Sequence, residues 1–119
     1  MSMQPSISVL MPVRDARETV EAAIASVQAE TIADWELVIV DDGSKDGTLE
    51  LLRKIAASEP RIVLIEQEPK GIAEALNRGL ASCRGEFVAR MDADDVMSER
   101  RLELQSAFLA AKRDFGLVS

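Results

Sequence analysis

Short apolar runs alternate with helix-like periodicity along the chain. Four runs rich in aliphatic and β-branched residues predict β-strands, at Ile7–Val13 and at residues 35–40, 61–65 and 86–91. Between the runs, apolar residues recur at spacings of three and four, which is typical of helices that bury one face. We predict four such helices. The first covers residues 20–27 and follows a capping box at residues 15–18, and the second begins near Asp46 or Thr48. The third covers residues 72–80, and the fourth begins after Ser98.

This alternation predicts an α/β fold. Strands joined by helices pair in parallel, so we expect a Rossmann-like, mostly parallel sheet with helices on both faces. Right-handed crossovers then place the carboxyl ends of all strands at one edge. The face of the third helix predicted to pack on the sheet consists of Ile72, Ala75, Leu76, Gly79 and Leu80. A fifth strand is predicted to begin at residue 116, so we expect residues 1–119 to be the front portion of one larger domain.

The composition excludes or disfavours several classes of function. A formal net charge of −7 disfavours a surface for nucleic acid or anionic lipid. The absence of histidine excludes His-dependent catalysis, and a single cysteine, Cys83, excludes a disulfide framework or a Cys-based zinc site. No apolar run approaches the roughly 20 residues that cross a bilayer. The amino terminus lacks the pattern of a secretory signal, so we expect a cytoplasmic location.

Aspartates collect where the second and fourth strands are predicted to end. Five of them share this position: Asp41, Asp42, Asp92, Asp94 and Asp95. Ligands of open α/β sheets bind at the carboxyl edge. Carboxylates that lie close together repel one another unless a cation is present, so the simplest explanation is a bound Mg²⁺ or Mn²⁺. The competing interpretation is turn chemistry or helix capping, which alone would account for Asp46 and Asp95.

Four segments resemble, in order, motifs of the inverting glycosyltransferases of family 2, which have the GT-A fold. They are SVLMPV at residues 8–13, WELVIVDDGSKDGT at 35–48, GIAEALNRG at 71–79 and GEFVARMDADD at 85–95. Each segment alone is a weak signal, but together they follow the family's order, each at a strand end or in the helix behind it. The resemblance implies that residues 1–119 are the nucleotide-sugar-binding portion of a single glycosyltransferase catalytic domain.

The resemblance also implies roles in binding the donor, which would be a UDP-sugar. Pro12 and Val13 would lie with their backbone against the base, and the Asp42 carboxylate would accept a hydrogen bond from the uracil N3–H. Gly71 and the helix behind it would lie near the donor, where a small residue allows close approach. The chain departs from many family members at Arg14 and Asp15, which replace a Tyr-Asn pair; the Arg14 guanidinium can stack or pair with a phosphate.

A metal site and a mechanism follow from the same resemblance. Asp94 would coordinate Mn²⁺ or Mg²⁺ at the diphosphate, and Asp92 would contact the ribose or the metal shell. The hydroxyl of a glycan, lipid-linked or other acceptor would attack the anomeric carbon with inversion, while the metal neutralises charge on the departing nucleoside diphosphate. The family's general base lies well beyond the Asp-x-Asp motif, so we expect it, and any attachment to the inner face of a membrane, beyond Ser119.

Two other classes of protein contain similar strings. Residues 92–96 (DADDV) match the D-x-D-x-[TV] motif of haloacid-dehalogenase-type phosphatases, in which Asp92 would be the nucleophile. Asp41 and Asp42 resemble the acidic pair of a signalling receiver domain, which is not an enzyme. Both motifs normally follow the first strand of their folds, whereas here they follow the fourth and the second. The order of the motifs therefore favours the glycosyltransferase interpretation.

Overall fold

The described part of the chain, residues 5–29 and 34–94 of a computed structural model, alternates strands and helices as the pattern predicts. The strands are β1 (Ile7–Val13), β2 (Trp35–Asp42), β3 (Ile62–Gln67) and β4 (Phe87–Arg90). The helices are α1 (Val20–Gln28), α2 (Thr48–Ser58) and α3 (Ile72–Ser82). In these residues no helix has the length and apolarity to cross a membrane. The helix predicted after Ser98 and the strand predicted at residue 116 lie outside the described residues.

The four strands form one parallel sheet in the order β3-β2-β1-β4, which confirms the predicted α/β class. The chain moves outward from β1 to β3 and then returns to place β4 on the other side of β1. Such a reversal creates a crevice at the carboxyl ends of the two strands between which it occurs. The fold therefore puts its natural ligand site beside the end of β1.

The sheet is covered on both faces, and the alternation of side chains along β1 and β2 sorts the core in two. Odd-numbered residues such as Val9 and Ile39 pack with α1 and α2, whereas even-numbered residues such as Leu10 and Val38 pack with α3. Parallel strands covered in this way read as continuous apolar runs, because neither face meets water. This is why the strands were visible in the sequence.

Helix α3 packs closely on β1 and β2 through its smallest residues. Ala75 and Gly79 are buried, as predicted, and a Cβ on Gly79 would collide with Leu10 Cδ1 and lie 2.8 Å from Val40 Cγ2. The prediction that Ile72 lies on the buried face is wrong, because its side chain is 54% exposed. Ile72 begins the helix at the carboxyl edge, where the sheet ends and an open cavity starts.

The bounds of several elements differ from the prediction at their polar ends. Strand β2 continues through Asp41 and Asp42, and β3 continues through Glu66 and Gln67, because these residues pair with each other across the ladder. The predicted capping box is wrong: Asp15 adopts a φ of 49°, and α1 begins five residues later. Its carboxylate instead accepts a hydrogen bond from the backbone of a distant loop.

A buried carboxylate holds the opposite, amino-terminal edge of the sheet together. Glu36, 1% exposed, accepts hydrogen bonds from Ser8 Oγ (2.5 Å) and from Arg84 N (2.6 Å) and Nε (3.1 Å). The same Ser8 Oγ accepts from Gly85 N at 2.8 Å. Because a buried carboxylate is costly unless it is paired and hydrogen-bonded, these contacts fix the connection between α3 and β4 against β1 and β2. Nearby, burial and then the charge of Glu36 raise the pKa of the Cys83 thiol to about 11, as expected of an inert cysteine.

Replacing Gly79 by alanine tests the close packing of α3. Helix propensity alone would favour alanine by about 1 kcal/mol, but overpacking a buried contact costs about 1–3 kcal/mol. We expect Gly79→Ala to lower the free energy of unfolding by about 1 kcal/mol in urea titrations, because the colliding atoms belong to two buried strands. Ala73→Gly, at an exposed position of the same helix, measures the propensity term alone. A Gly79→Ala protein more stable than the wild type would contradict this packing.

A second stability prediction concerns acid. A hydrogen-bonded ion pair with Arg61 (Nε to Oε2, 3.0 Å) lowers the pKa of Glu59 from 4.5 to about 2. A carboxyl whose pKa is lower in the folded state stabilises the protein above the unfolded-state pKa, and this stabilisation is lost as the pH falls. We expect Glu59→Gln to be less stable than the wild type at pH 7, with the difference shrinking between pH 4.5 and 2. A difference independent of pH in chemical denaturation would show that the ion pair does not stabilise the fold.

Candidate functional site

A cavity opens at the carboxyl edge where the strand order reverses. Its volume is about 190 Å³, and it is lined by residues from the end of β1, the end of β2, the start of α3 and the segment after β4: Pro12, Val13, Arg14, Asp42, Gly71, Ile72, Ala75 and Asp92. The family resemblance assigned six residues to binding the donor and the metal, and five of them line this one cavity. The sixth, Asp94, follows two residues after Asp92. Complete small-molecule pockets measure roughly 300–1,000 Å³, so this cavity suits one moiety of a larger ligand.

Asp42 is the most constrained polar group of the cavity. It is 4% exposed, and its Oδ1 accepts hydrogen bonds from Gln67 Nε2 and Lys70 N, both at 2.8 Å. Its Oδ2 accepts from Gly71 N at 3.0 Å. Burial acts to raise the pKa of this carboxyl, but the three hydrogen bonds and the charge of Arg14 outweigh burial, so the pKa lies below its ordinary value. Asp42 is thus held as an ionised acceptor at neutral pH.

The neighbouring Asp41 has a different environment. Successive residues of a strand point to opposite faces, so Asp41 lies on the side of α1 and α2, buried at 1% exposure. Its Oδ2 accepts from Ser44 N at 3.0 Å, and its Oδ1 is buried without a hydrogen bond to any described residue. Asp41 does not line the cavity, so the acidic pair does not act as one group.

Asp92 and Asp94 follow β4 in the chain, and Asp92 lines the cavity together with Asp42. The Asp92 side chain is 51% exposed, and its Oδ1 accepts a hydrogen bond from Arg90 Nη2 at 3.1 Å. Asp94 is also exposed, while Asp95 lies outside the described residues. Two exposed carboxylates supply the oxygen donors that Mg²⁺ and Mn²⁺ prefer, and such ions are commonly held by one or two carboxylates completed by substrate phosphates and water.

The four described aspartates of the carboxyl edge, Asp41, Asp42, Asp92 and Asp94, therefore do not form one cluster that encloses a metal. In residues 5–29 and 34–94, no group of three or more carboxylates or thiols is close enough to enclose a metal ion. The donor set available at Asp92 and Asp94 fits a metal shared with a phosphate ligand rather than an all-protein cage.

The loops that carry the site are fastened to one another. Asp15 N donates to Ser44 Oγ (2.9 Å), and Lys45 N donates to Asp15 Oδ1 (2.7 Å), which joins the β1–α1 loop to the β2–α2 loop. Asp46 accepts from Thr48 N at 3.0 Å in the turn just before α2, whose N-cap residue is Gly47. This is the turn role that the competing interpretation allowed for Asp46. The β1–α1 and β2–α2 loops thus order each other, although they are about thirty residues apart in the sequence.

Two glycines shape the edge for different reasons. Gly43 has a φ of 75°, and a Cβ there would meet the ring of Pro69, so the β2–α2 and β3–α3 loops approach each other closely at this point. Gly71 has a φ of 98°, but a Cβ there would meet no protein atom within 4 Å. Glycine is therefore favoured at position 71 because of its positive φ, and not because a side chain there would collide with the protein. The space beside Gly71 belongs to the cavity.

Sequence reasoning missed the residues that hold the site in place. Gln67 and Lys70 orient Asp42, and Arg90 binds Asp92, yet none of them was predicted. Gln67 could have been found by extending the apolar runs into the polar residues that follow them, because this puts it opposite Asp42 in the ladder. The contribution of Lys70 comes from its backbone, which carries no sequence signal.

The parallel sheet, its reversal beside β1 and the acidic residues at that edge define an α/β fold of the GT-A glycosyltransferase type. The family model described as glycosyl transferase family 2 matches residues 8–117, nearly the whole chain. The chain therefore belongs to glycosyl transferase family 2. This confirms the family indicated by the four sequence motifs, and it favours neither the phosphatase nor the receiver interpretation.

Individual glycosyltransferases resemble the chain over part of their length. WfgD of Escherichia coli, a UDP-Glc:α-D-GlcNAc-diphosphoundecaprenol β-1,3-glucosyltransferase, is 38% identical over 87% of this chain and 40% of its own. The structure of S. aureus TarS 1-349 in complex with UDP-GlcNAc has a TM-score of 0.78 and 26% identity, covering 88% of this chain and 31% of that one. The mannosyltransferase PcManGT from Pyrobaculum calidifontis, in complex with GDP-Man and Mn²⁺, has a TM-score of 0.77 and 30% identity, covering 92% and 33%. The chain spans less than half the length of each.

Asp42→Asn tests whether the three hydrogen bonds hold the edge. An amide keeps one oxygen but presents an NH₂ group in place of the other, so at least one of the three donors loses its acceptor. We expect the free energy of unfolding to fall by about 1–3 kcal/mol, measured by urea denaturation at pH 7. Glu68→Gln, a carboxylate-to-amide change at an exposed position of the same loop, is the matched control. Equal stability of the two variants would show that Asp42 does not fasten the loop.

Proposed function

We propose that this chain supplies the donor-binding part of an inverting glycosyltransferase that uses a nucleoside-diphosphate sugar, with uridine as the nucleoside. The observation that carries the proposal is the position of Asp42, a buried and ionised acceptor at the wall of the cavity. A fixed carboxylate acceptor is complementary to the N3–H of uracil and repels bases that present an acceptor at that point. The cavity, at about 190 Å³, suits the base moiety of such a donor.

The other walls of the cavity support the same assignment. Pro12, Val13 and Ala75 make the lining of the cavity apolar, which suits the flat faces of a base. Gly71 leaves open space where the ligand would pass α3. Arg14, exposed at the rim, carries a planar guanidinium that can stack on a base or bind a phosphate. In this proposal Arg14 replaces the aromatic residue that many family members carry.

Asp92 and Asp94 are the residues that would hold a divalent ion, Mn²⁺ or Mg²⁺. When bound, the ion supplies positive charge that stabilises the departing nucleoside diphosphate. The presence of Mn²⁺ in the PcManGT complex supports this part of the proposal. Arg90, through its hydrogen bond to Asp92, restrains one of the two carboxylates before any ligand arrives.

The proposed reaction is a single displacement. The acceptor hydroxyl, on a glycan, a lipid-linked sugar or another acceptor, attacks the anomeric carbon, and its proton goes to a general base expected beyond Ser119. This chain's own residues bind and orient the donor. The chain resembles WfgD, a glucosyltransferase that acts on a diphosphoundecaprenol-linked sugar, over 40% of the length of WfgD. By analogy we propose that the protein takes part in the synthesis of a bacterial polysaccharide.

Calorimetric titration of UDP into the folded protein, with and without Mn²⁺, tests the proposal. We expect UDP to bind about tenfold or more tightly in Mn²⁺, because the ion and the diphosphate complete each other's coordination. ADP should bind more weakly than UDP, since the adenine edge offers an acceptor to the Asp42 carboxylate. Asp94→Ala should remove the effect of Mn²⁺ and keep the metal-free affinity.

Glu21→Ala, which removes an exposed carboxylate on α1 away from the cavity, is the control for the loss of one negative charge. It should leave both titrations unchanged. Absence of UDP binding by a protein that circular dichroism shows to be folded would refute the proposed function. A UDP affinity that is the same with and without Mn²⁺ would refute only the proposed metal site.

A further inference from the structure

The chain at the end of β4 alternates between the two faces of the sheet. Met91 and Ala93 are buried in the core on the side of α1 and α2, and Met91 N donates to Leu10 O at 3.0 Å. Because successive residues of an extended segment point to opposite sides, Arg90 and Asp92 share the other face. The packing of Met91 and Ala93 thus holds two oppositely charged side chains next to each other.

Arg90 depends on Asp92 to compensate its charge. Its Nη2 donates to Asp92 Oδ1 at 3.1 Å, and its side chain is 27% exposed. Its Nε is buried without a hydrogen bond to any described residue, and within residues 5–29 and 34–94 the carboxylate that pairs with Arg90 is Asp92. Removing one partner of a partly buried ion pair leaves the other charge uncompensated, which costs free energy. A cation that takes Asp92 from Arg90 has to meet this cost.

Asp92 is also one of the two carboxylates proposed to hold the metal. It lines the cavity and its side chain is 51% exposed, so a cation can reach it from solvent. Arg90 offsets the charge of one of these two carboxylates, and its own positive charge repels a divalent ion bound to the same group. Before a nucleotide binds, the site therefore attracts a divalent ion only weakly.

A diphosphate changes this balance of charge. Its oxygens complete the coordination of an ion that the protein holds by one or two carboxylates. Its negative charge compensates the ion and the Arg90 guanidinium together. Arg90 thus opposes binding of the metal alone, but it opposes the complex of metal and diphosphate much less.

We propose that Arg90 makes metal binding conditional on the nucleotide. By neutralising Asp92 it keeps Mn²⁺ or Mg²⁺ weakly bound until a diphosphate supplies the negative charge that compensates both cations. The inference rests on the proposed function, because it concerns the metal of the same donor site. Arg90 acts through Asp92 and is a positioning residue of the site.

Electron paramagnetic resonance tests this role, because free and protein-bound Mn²⁺ give signals of different intensity. In the full chain without nucleotide, we expect Arg90→Met to bind Mn²⁺ about tenfold more tightly than the wild type, equivalent to about 1.4 kcal/mol. Arg90→Lys, which keeps the charge, should bind Mn²⁺ as weakly as the wild type. Arg78→Met, the control, removes an arginine that is exposed on α3 and does not line the cavity, and it should leave the affinity unchanged.

Two further measurements show whether Arg90 acts through Asp92 and on the nucleotide dependence. Adding Asp92→Asn to Arg90→Met should abolish the gain in Mn²⁺ affinity. The factor by which UDP tightens Mn²⁺ binding should shrink severalfold in Arg90→Met, because the diphosphate then has one positive charge fewer to compensate. By thermodynamic linkage, calorimetry should find that Mn²⁺ tightens UDP binding by the same smaller factor. Loss of a residue that only supported the fold would not improve metal binding.

Arg90→Gln also removes the charge and gives the same test should Arg90→Met not fold. A Mn²⁺ affinity that is unchanged or lowered in a folded variant overturns the role of Arg90 and leaves the proposed function standing. A wild-type protein that binds Mn²⁺ equally tightly with and without UDP also overturns this role. A folded wild-type protein that binds no UDP overturns both proposals.

Discussion

The carboxyl edge of this sheet depends on one requirement, that hydrogen bonds compensate the buried charge of Asp42. An ionised carboxylate removed from water is tolerated only where donors replace its hydration. The donors here come from the end of β3 and the loop behind it, so the charge draws that loop over the end of β2. Gly71 takes a positive φ of 98° at this point, and α3 begins immediately after it. The wall of the cavity at the start of α3 therefore follows from the hydrogen bonds to a single side chain.

The same edge marks the limit of what the sequence reveals. The bounds of β1 were predicted from local pattern alone, because a strand buried on both faces is a continuous apolar run. The polar ends of β2 and β3 were missed, since Asp42 and Gln67 belong to strands only through pairing with each other. The capping box failed for a related reason: the Asp15 side chain binds Lys45, thirty residues away, in preference to the adjacent turn. Contacts between distant segments decide these positions.

Sequence motifs identified functional residues that hydrophobic periodicity could not, but they did not show which residues face the same site. The motifs identified the family and most of the residues that line the cavity. The clustering of aspartates in the sequence placed Asp41 and Asp42 at one site, although the alternation of the strand sends these two carboxylates to opposite faces of the sheet. Asp41 is enclosed near α1 and α2, whereas Asp42 reaches the cavity. Adjacent residues of a motif can thus have unrelated roles, and the geometry of the strand is what distinguishes these roles.

The hydrogen bonds between loops have a consequence for how this edge responds to a ligand. Asp15 ties the first loop to the second, and Asp42 ties the end of β2 to the third. A segment already ordered by its neighbours has little conformational entropy left to lose when a ligand arrives. Association at this rim then resembles docking onto a rigid surface. The affinity is set by how well the incoming groups match the fixed ones, and a mismatch cannot be absorbed by rearranging a single loop.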